Sequence, residues 1–324
     1  MVIELVCGAI NWDTSIFVDN FPSSKEEVKA KKTISVPGGK GANVAIASAR
    51  ILSTNNVGVI GALGDDDIAD RQMQILKEEG IDTSSIKRIQ NASSGQAYIV
   101  VDGSGENFII THKAANHMIT VDMINEEVTS RALEECKLIT VIDPPLDVAE
   151  ALIANARNLD KAIVWSPGLL VRNGFDKLKE IILKANYIIL NESEAKILAG
   201  IDDAVKACLS LSGKINVNKV IGTLGAGGCV LCWQNKTVRI PTPSLEDLGL
   251  RVVNTVGAGD AFLGVFSALR IKEFDEKESL FLANIAGALK TTREETRSSP
   301  SYYEIKNYFD DKRVKSIFEK IKIS

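Results

Sequence analysis

Basic residues are not in excess in this sequence. Its 324 residues carry 38 Lys and Arg against 42 Asp and Glu, a net charge of −4. A nucleic-acid binder needs a basic surplus to displace counterions from phosphates, and a membrane-surface protein needs a polybasic segment. The pairs Lys31-Lys32 and Lys312-Arg313 read as solvated faces and supply neither. Aromatic side chains make up only 6%, thin for base stacking or a large partner interface. Cysteines are few: Cys7, Cys136, Cys208, Cys229 and Cys232. An odd, scattered set builds no disulfide framework and fits a reducing compartment. Cys229 and Cys232 form a C-x-x-C, but inside an apolar run with no second pair or nearby histidine, so they read as buried strand. No basic stretch precedes an apolar one at the start, and no apolar run approaches the roughly 18 residues that span a bilayer. The expectation is a soluble, cytoplasmic protein.

What is present is the composition of a globular chain: 45% hydrophobic and 25% charged residues, long enough to bury a core without disulfides or a structural metal. Short β-branched runs alternate with amphipathic stretches. Strands are predicted over residues 3–7, 56–62, 138–142, 162–166, 187–190, 219–223 and 228–233. Helices are predicted over 41–52, 68–79, 146–158, 175–184, 193–199, 260–270, 277–291 and 301–308. Uniformly apolar strands between helices argue a mostly parallel sheet covered on both faces, a three-layer α/β fold.

Two insertions break the rhythm. One holds strand-like pieces at 15–18 and 28–36; the other is a hairpin of 96–101 and 107–111 with a turn at Asp102-Gly103-Ser104-Gly105. Together they predict a small β lid of residues 14–36 and 95–112, beside a main domain of residues 1–13, 37–94 and 113–324. In the hairpin Ala97, Ile99 and Val101 alternate with Tyr98 and Val100, and Phe108 and Ile110 oppose Ile109. Two apolar lid faces, one over a cleft, predict a homodimer packed lid on lid.

The strongest chemical signal is Asn254-Thr255-Val256-Gly257-Ala258-Gly259-Asp260 ahead of an apolar helix. Its glycines admit a ligand to the backbone, and a helix N-terminus favours an anion. Asp260 there is either an N-cap or a general base aimed at a hydroxyl beside that anion. Pro37-Gly38-Gly39-Lys40-Gly41-Ala42-Asn43 also opens a helix, but Gly41 in place of Ser or Thr excludes a Walker A loop. Asn11 and Asp13, after the first strand, suit sugar hydroxyls. Asn191-Glu192-Ser193-Glu194 suits either Mg²⁺ or a helix cap. Thr223 through Gly228 is a nucleotide groove or a tight turn.

In this order and rough spacing, these segments resemble the ribokinase-like (PfkB) carbohydrate kinases across essentially the whole chain, and among them the ribokinases. The resemblance implies their three-layer fold with a β-sheet lid, and a set of roles. Asp260 would be the catalytic base, with the backbone N–H groups of Gly257, Ala258 and Gly259 as the anion hole. Asn11, Asp13, Gly39, Lys40, Asn43 and Asp143 would hold the sugar. Asn191, Thr223, Gly225, Gly228 and Asn284 would serve ATP, and Glu194 would hold Mg²⁺ through water. The acceptor implied most simply is D-ribose; a fructokinase, a phosphofructokinase using Lys40 and Lys113, and a nucleoside kinase walled by Trp12 and Phe108 are the neighbours. Dimers through the lid are common in that family.

Departures are visible too. Asn254 stands where ribokinases carry an aspartate tied to monovalent-cation activation, which leaves K⁺ open. Glu294-Glu295-Thr296-Arg297 replaces a Gly-Ala turn, and Ala114-Ala115-Asn116 replaces Gly-Ala-Asn. A non-catalytic sugar- or nucleotide-sensing module is the rival from another class, disfavoured by Asp260 and its glycines. A dinucleotide-dependent dehydrogenase is disfavoured because only Gly8 of the G-x-G-x-x-G pattern is present. His112 and His117 read as structural.

Overall fold

The computed structural model describes every residue except 105, 216–218 and 322–324, so Gly105 of the expected hairpin turn lies outside the described residues. In chain order the strands are β1 (Glu4–Gly8), β2 (Asn11–Phe17), β3 (Lys32–Gly38), β4 (Val57–Leu63), β5 (Ile81–Asp82), β6 (Ile86–Arg88) and β7 (Gly95–Val101). They continue with β8 (Asn107–His112), β9 (Leu138–Ile142), β10 (Ala162–Ser166), β11 (Tyr187–Asn191), β12 (Lys219–Thr223), β13 (Cys229–Trp233) and β14 (Lys236–Ile240). The helices of the first half are α1 (Lys40–Leu52), α2 (Asp67–Glu78), α3 (Val121–Ile124), α4 (Glu127–Glu135), α5 (Leu146–Asn158) and α6 (Phe175–Ile182). Those of the second are α7 (Glu192–Ala199), α8 (Ala204–Ile215), α9 (Ala258–Ile271), α10 (Glu276–Thr291), α11 (Tyr302–Phe309) and α12 (Lys312–Glu319).

The main sheet runs β14-β13-β12-β11-β10-β9-β1-β4-β5, with β6 also on β4. It is parallel from β5 to β12 and turns antiparallel at β13 and β14. Strands β1, β4 and β9 are buried along their whole length, as uniformly apolar sequences require when helices cover both faces. One face packs on α1, α2 and α9 to α12, the other on α3 to α8. Cys229 belongs to the first of these cores and Cys232 to the second, so the C-x-x-C points to opposite faces of β13 and both thiols are free.

The second sheet, β3-β2-β7-β8, is the predicted lid; β2, β7 and β8 are longer than the sequence pattern indicates and β3 is shorter. Asn11 already pairs with Gly38 and Gly95, so Asn11 and Asp13 lie on the lid strand itself and not on the tip of β1. Residues 28–31, expected as strand, are irregular, and β3 starts at Lys32. Ala97 and Ile99 are buried toward the main domain. The other face carries Tyr98 and Ile110 side by side and Phe108 beside Val100, with Phe108 against Phe21.

The sequence reading passes over α3, α4, α8, α12, β5, β6 and β14. Helix α8 follows Gly200 closely and is started by Asp203, whose carboxylate accepts from Lys206 N–H at 2.8 Å. Among the described residues no helix is long and apolar enough to cross a membrane.

Candidate active site

The site forms where α1, α9 and the root of the lid meet. Asn116 fixes the lid's first residue: its Oδ1 accepts from Ile10 N–H at 2.9 Å, and its Nδ2 donates to Ile10 O and to Asn11 Oδ1 at 3.1 and 2.9 Å. Asp13 is buried against Gly38, where a Cβ would stand 2.0 Å from the carboxylate. Burial pushes the Asp13 carboxyl up to about 6; Arg297 opposes this shift and Asp260 adds to it.

Asp260 sits in the first turn of α9. Its Oδ2 accepts from Asn43 Nδ2 at 2.8 Å, which joins α9 to α1. Burial raises its pKa, while the Asn43 bond and the charges of Lys40, Lys290 and Arg297 hold it down. The net shift is upward, which makes this carboxyl a stronger proton acceptor than an exposed aspartate. Gly257, the residue before α9, has φ 86°, and a Cβ there would meet Thr296 O at 2.3 Å, so only glycine fits this turn. Ala258 N–H is turned back to Thr255 O at 3.2 Å. The N–H groups of Gly257 and Gly259 find no acceptor among the described residues and are open to an anion.

A cavity of about 360 Å³ opens under the lid, lined by Asn11, Lys40, Lys113, Asn116, His117 and Asp143, with Ile109, Ile119 and Leu169 as its apolar wall. Asp143 follows β9 with φ 53°, a strained value for a residue with a side chain and one often found at functional sites. Asp260, Asn43 and Asp13 are not among the lining residues; Lys40 lines the cavity and its charge acts on Asp260, which connects the two. Trp12 and Phe108, expected as walls for a base, do not line it. They alternate with Asn11, Asp13 and Ile109 and therefore face the other side of the lid.

At the end of β11, Asn191 and Glu194 form a reciprocal capping box of α7, at 2.9 and 3.0 Å. One Glu194 oxygen is spent on Asn191 N–H. Burial raises the Glu194 pKa, the Asn191 bond and Lys40 lower it, and Asp143 adds its repulsion. Hard oxygens of Glu194 and Asp143 near one another fit a Mg²⁺ ion held through water, although no cluster of three metal-ligating side chains occurs among the described residues. Thr223 ends β12 with its hydroxyl 3.5 Å from Leu190 O, and Gly225 and Gly228 form the turn into β13. Asn284 is buried and its Nδ2 donates to Ile240 O and Pro241 O at 2.9 and 3.4 Å. The structure thus uses that amide to hold the chain leaving β14.

Three residues of the site escape the sequence reading. Arg297, from the segment that departs from the family pattern, is buried and donates from Nε to Asn43 Oδ1 at 3.2 Å, from Nη1 to Gln72 Oε1 at 3.0 Å and from Nη2 to Gly38 O. Gln72 in turn donates to Asn11 O at 2.5 Å. Lys290, fully buried, reaches Asn254 O at 2.9 Å. The one available signal for Arg297 was the departure itself.

Known proteins resemble this chain over nearly its whole length. The family model described as pfkB family carbohydrate kinase matches residues 5–301. The chain is 29% identical over 301 residues to a ribokinase of Haemophilus influenzae, covering 91% of this chain and 94% of that one. It is 27% identical over 310 residues to a deoxyribokinase of Salmonella typhi, covering 94% and 97%. The crystal structure of a ribokinase from Cryptococcus neoformans in complex with ADP superposes with a TM-score of 0.81 at 25% identity, over 95% of this chain and all of that one.

Proposed function

The chain belongs to the pfkB family of carbohydrate kinases, ATP-dependent phosphotransferases, and we propose that it phosphorylates a hydroxyl of a small sugar, most simply D-ribose to ribose 5-phosphate. The observation that carries the reading is the Asn43–Asp260 bond at 2.8 Å, beside a helix N-terminus with open N–H groups. Asp260 takes the proton of the acceptor hydroxyl as the hydroxyl oxygen bonds to the terminal phosphorus of ATP, whose bond to the bridging oxygen breaks to release ADP. Asn43 holds the other edge of that carboxylate. The N–H groups of Gly257 and Gly259, with the positive end of α9, stabilise the charge that builds on the transferred group. Asn11, Asp13, Gly39, Lys40 and Asp143 orient the sugar under the lid, which excludes water.

Asn191, Thr223, Gly225 and Gly228 border the nucleotide; Asn284 supports its wall from behind. Glu194, with Asp143, would hold Mg²⁺ through water, and the ion supplies neutralising charge for the ATP phosphates. A nucleoside acceptor is the second reading, favoured by the apolar wall of Ile109, Ile119 and Leu169. The outer lid face, where Tyr98, Phe108 and Ile110 are 36%, 40% and 57% exposed, is the surface through which two copies pair.

A coupled assay of ADP release over ribose, 2-deoxyribose, fructose, fructose 6-phosphate and nucleosides tests the assignment. Ribose should be turned over best. Turnover of nucleosides alone would replace it by the second reading, and no turnover of any acceptor would overturn it.

A further inference from the structure

Lys290 lies in the last turn of α10 with no exposure to solvent. Its Nζ donates to Asn254 O at 2.9 Å. That carbonyl belongs to the strap of residues 253–257 that ends in the turn before α9. The strap is tied to the same end of α10, since Val253 N–H and Asn254 N–H both donate to Thr291 O, at 2.7 and 3.0 Å. The Asn254 side chain completes the fastening: Nδ2 donates to Glu294 O at 2.7 Å, and Oδ1 accepts from Val256 N–H at 3.0 Å.

Three negative features act on the ammonium. They comprise the Asn254 carbonyl, the negative end of the α10 dipole and the Asp260 carboxylate. Burial lowers the Lys290 pKa to about 8 while Asp260 pulls it upward, so the group stays largely charged at neutral pH. Taking an ammonium out of water is costly unless it is paired. A leucine would fill the same volume without that cost, so packing alone does not account for a lysine here. An ammonium is a compact point charge on a flexible stem, the nearest that a side chain comes to a dissolved K⁺ or NH₄⁺ ion.

We propose that the Lys290 ammonium is a tethered monovalent cation that holds the strap before the anion hole and sets positive potential behind Asp260, so that this protein needs no dissolved monovalent ion. The proposal rests on the kinase reading above for its catalytic half only. Lys290 is a positioning residue, acting through Asn254 and Asp260.

Lys290→Met removes the charge and keeps an unbranched stem. The first readout needs no acceptor: melting temperature in KCl, NH₄Cl and choline chloride at equal ionic strength. The wild type should melt alike in all three, whereas Lys290→Met should melt lower in choline and be raised by K⁺ or NH₄⁺, as binding to a vacated site requires. The second readout uses the best acceptor of the panel. Wild-type kcat should be the same in K⁺ and choline; Lys290→Met should lose about tenfold or more in kcat with little change in acceptor KM, and NH₄⁺ should restore part of it. A wild-type kcat that K⁺ raises over choline overturns the proposal. So does a Lys290→Met protein with full kcat, or one whose losses no small cation alters. If Lys290→Met does not fold, Lys290→Gln is read in the same two ways. Should no acceptor be turned over, the kinase reading fails by itself and the melting comparison still decides the place of Lys290.

Discussion

Arg297 Nε donates to Asn43 Oδ1 at 3.2 Å across 254 positions of sequence, while the amide of Asn43 donates to Asp260. One side chain therefore connects the guanidinium to the proposed base. Through Gln72 the same guanidinium reaches Asn11, and through Gly38 it reaches the end of β3. Both ends of the acceptor site are thus referred to one buried cation.

Removing that cation should be costly. Arg297→Met leaves the oxygens of Gly38, Asn43 and Gln72 without their donor and Asp13 without its opposing charge. The expected loss is roughly 3–5 kcal/mol of stability, as for breaking other buried charged networks. Urea unfolding measures it. Arg297→Lys should recover part of the stability but not the two-sided hold on Asn43 and Gln72. A loss near zero in Arg297→Met would show that the network is not what holds the site.

Asp260→Asn tests the base. A positioned general base contributes about 10²–10⁴-fold, so kcat should fall by that factor. Sugar affinity should change little, because the Asn side chain can still bond to Asn43 and to a hydroxyl. A variant with near wild-type kcat on its best acceptor refutes the role.

Much of this was legible in the sequence for a local reason. Uniformly apolar strands, and glycines placed just ahead of α1 and α9, are patterns that a few neighbouring residues define. The parallel sheet, the lid and the separate choice of Asn43 and Asp260 follow from them; the bond between those two, 217 positions apart, does not. What stayed hidden depends on distant partners. Arg297 binds 254 positions away, Asn116 binds Ile10 106 positions away, and Gln72 binds Asn11 61 positions away. Gln72 is an ordinary polar residue among its neighbours, and the departures that contain Arg297 and Asn116 do not name their partners. Asn284, singled out by the family resemblance alone, also has a distant partner that its neighbours do not announce: its amide donates to Ile240 O and Pro241 O at the end of β14.

Stability should depend on pH through Glu4. This carboxyl is fully buried, with hydroxyl partners in Ser48 and Thr140. Burial raises it from 4.5 to about 7, outweighing the hydroxyl bonds that lower it. Between those values the folded state keeps a proton that the unfolded state has lost. Stability therefore falls as pH rises through this window, by up to about 3 kcal/mol, and levels off above it. Asp13, raised to about 6, acts in the same direction. Glu4→Gln should flatten the slope, gaining on the wild type at about pH 8 relative to about pH 5 in urea midpoints. An equal difference at both would rule out Glu4 as the source.

The lid face gives the last prediction. Tyr98 and Ile110 are cross-strand partners, with Val100 and Phe108 next along the same face. Ala97 and Ile99 are buried on the opposite face, while Ile109 and Thr111 on that face line the cavity. The outward set cannot also pack on the main domain, because strand alternation sends it the other way. A two-fold dimer would cover it with a second copy of itself. Sedimentation equilibrium at micromolar concentration should give twice the chain mass of 35.0 kDa. Tyr98→Glu with Ile110→Lys should shift the species to monomer while the melting transition of the main domain persists. Because the cavity is closed by the same sheet, the monomer should also show a raised acceptor KM. A monomeric wild type, or a dimer indifferent to both charges, would place the interface elsewhere.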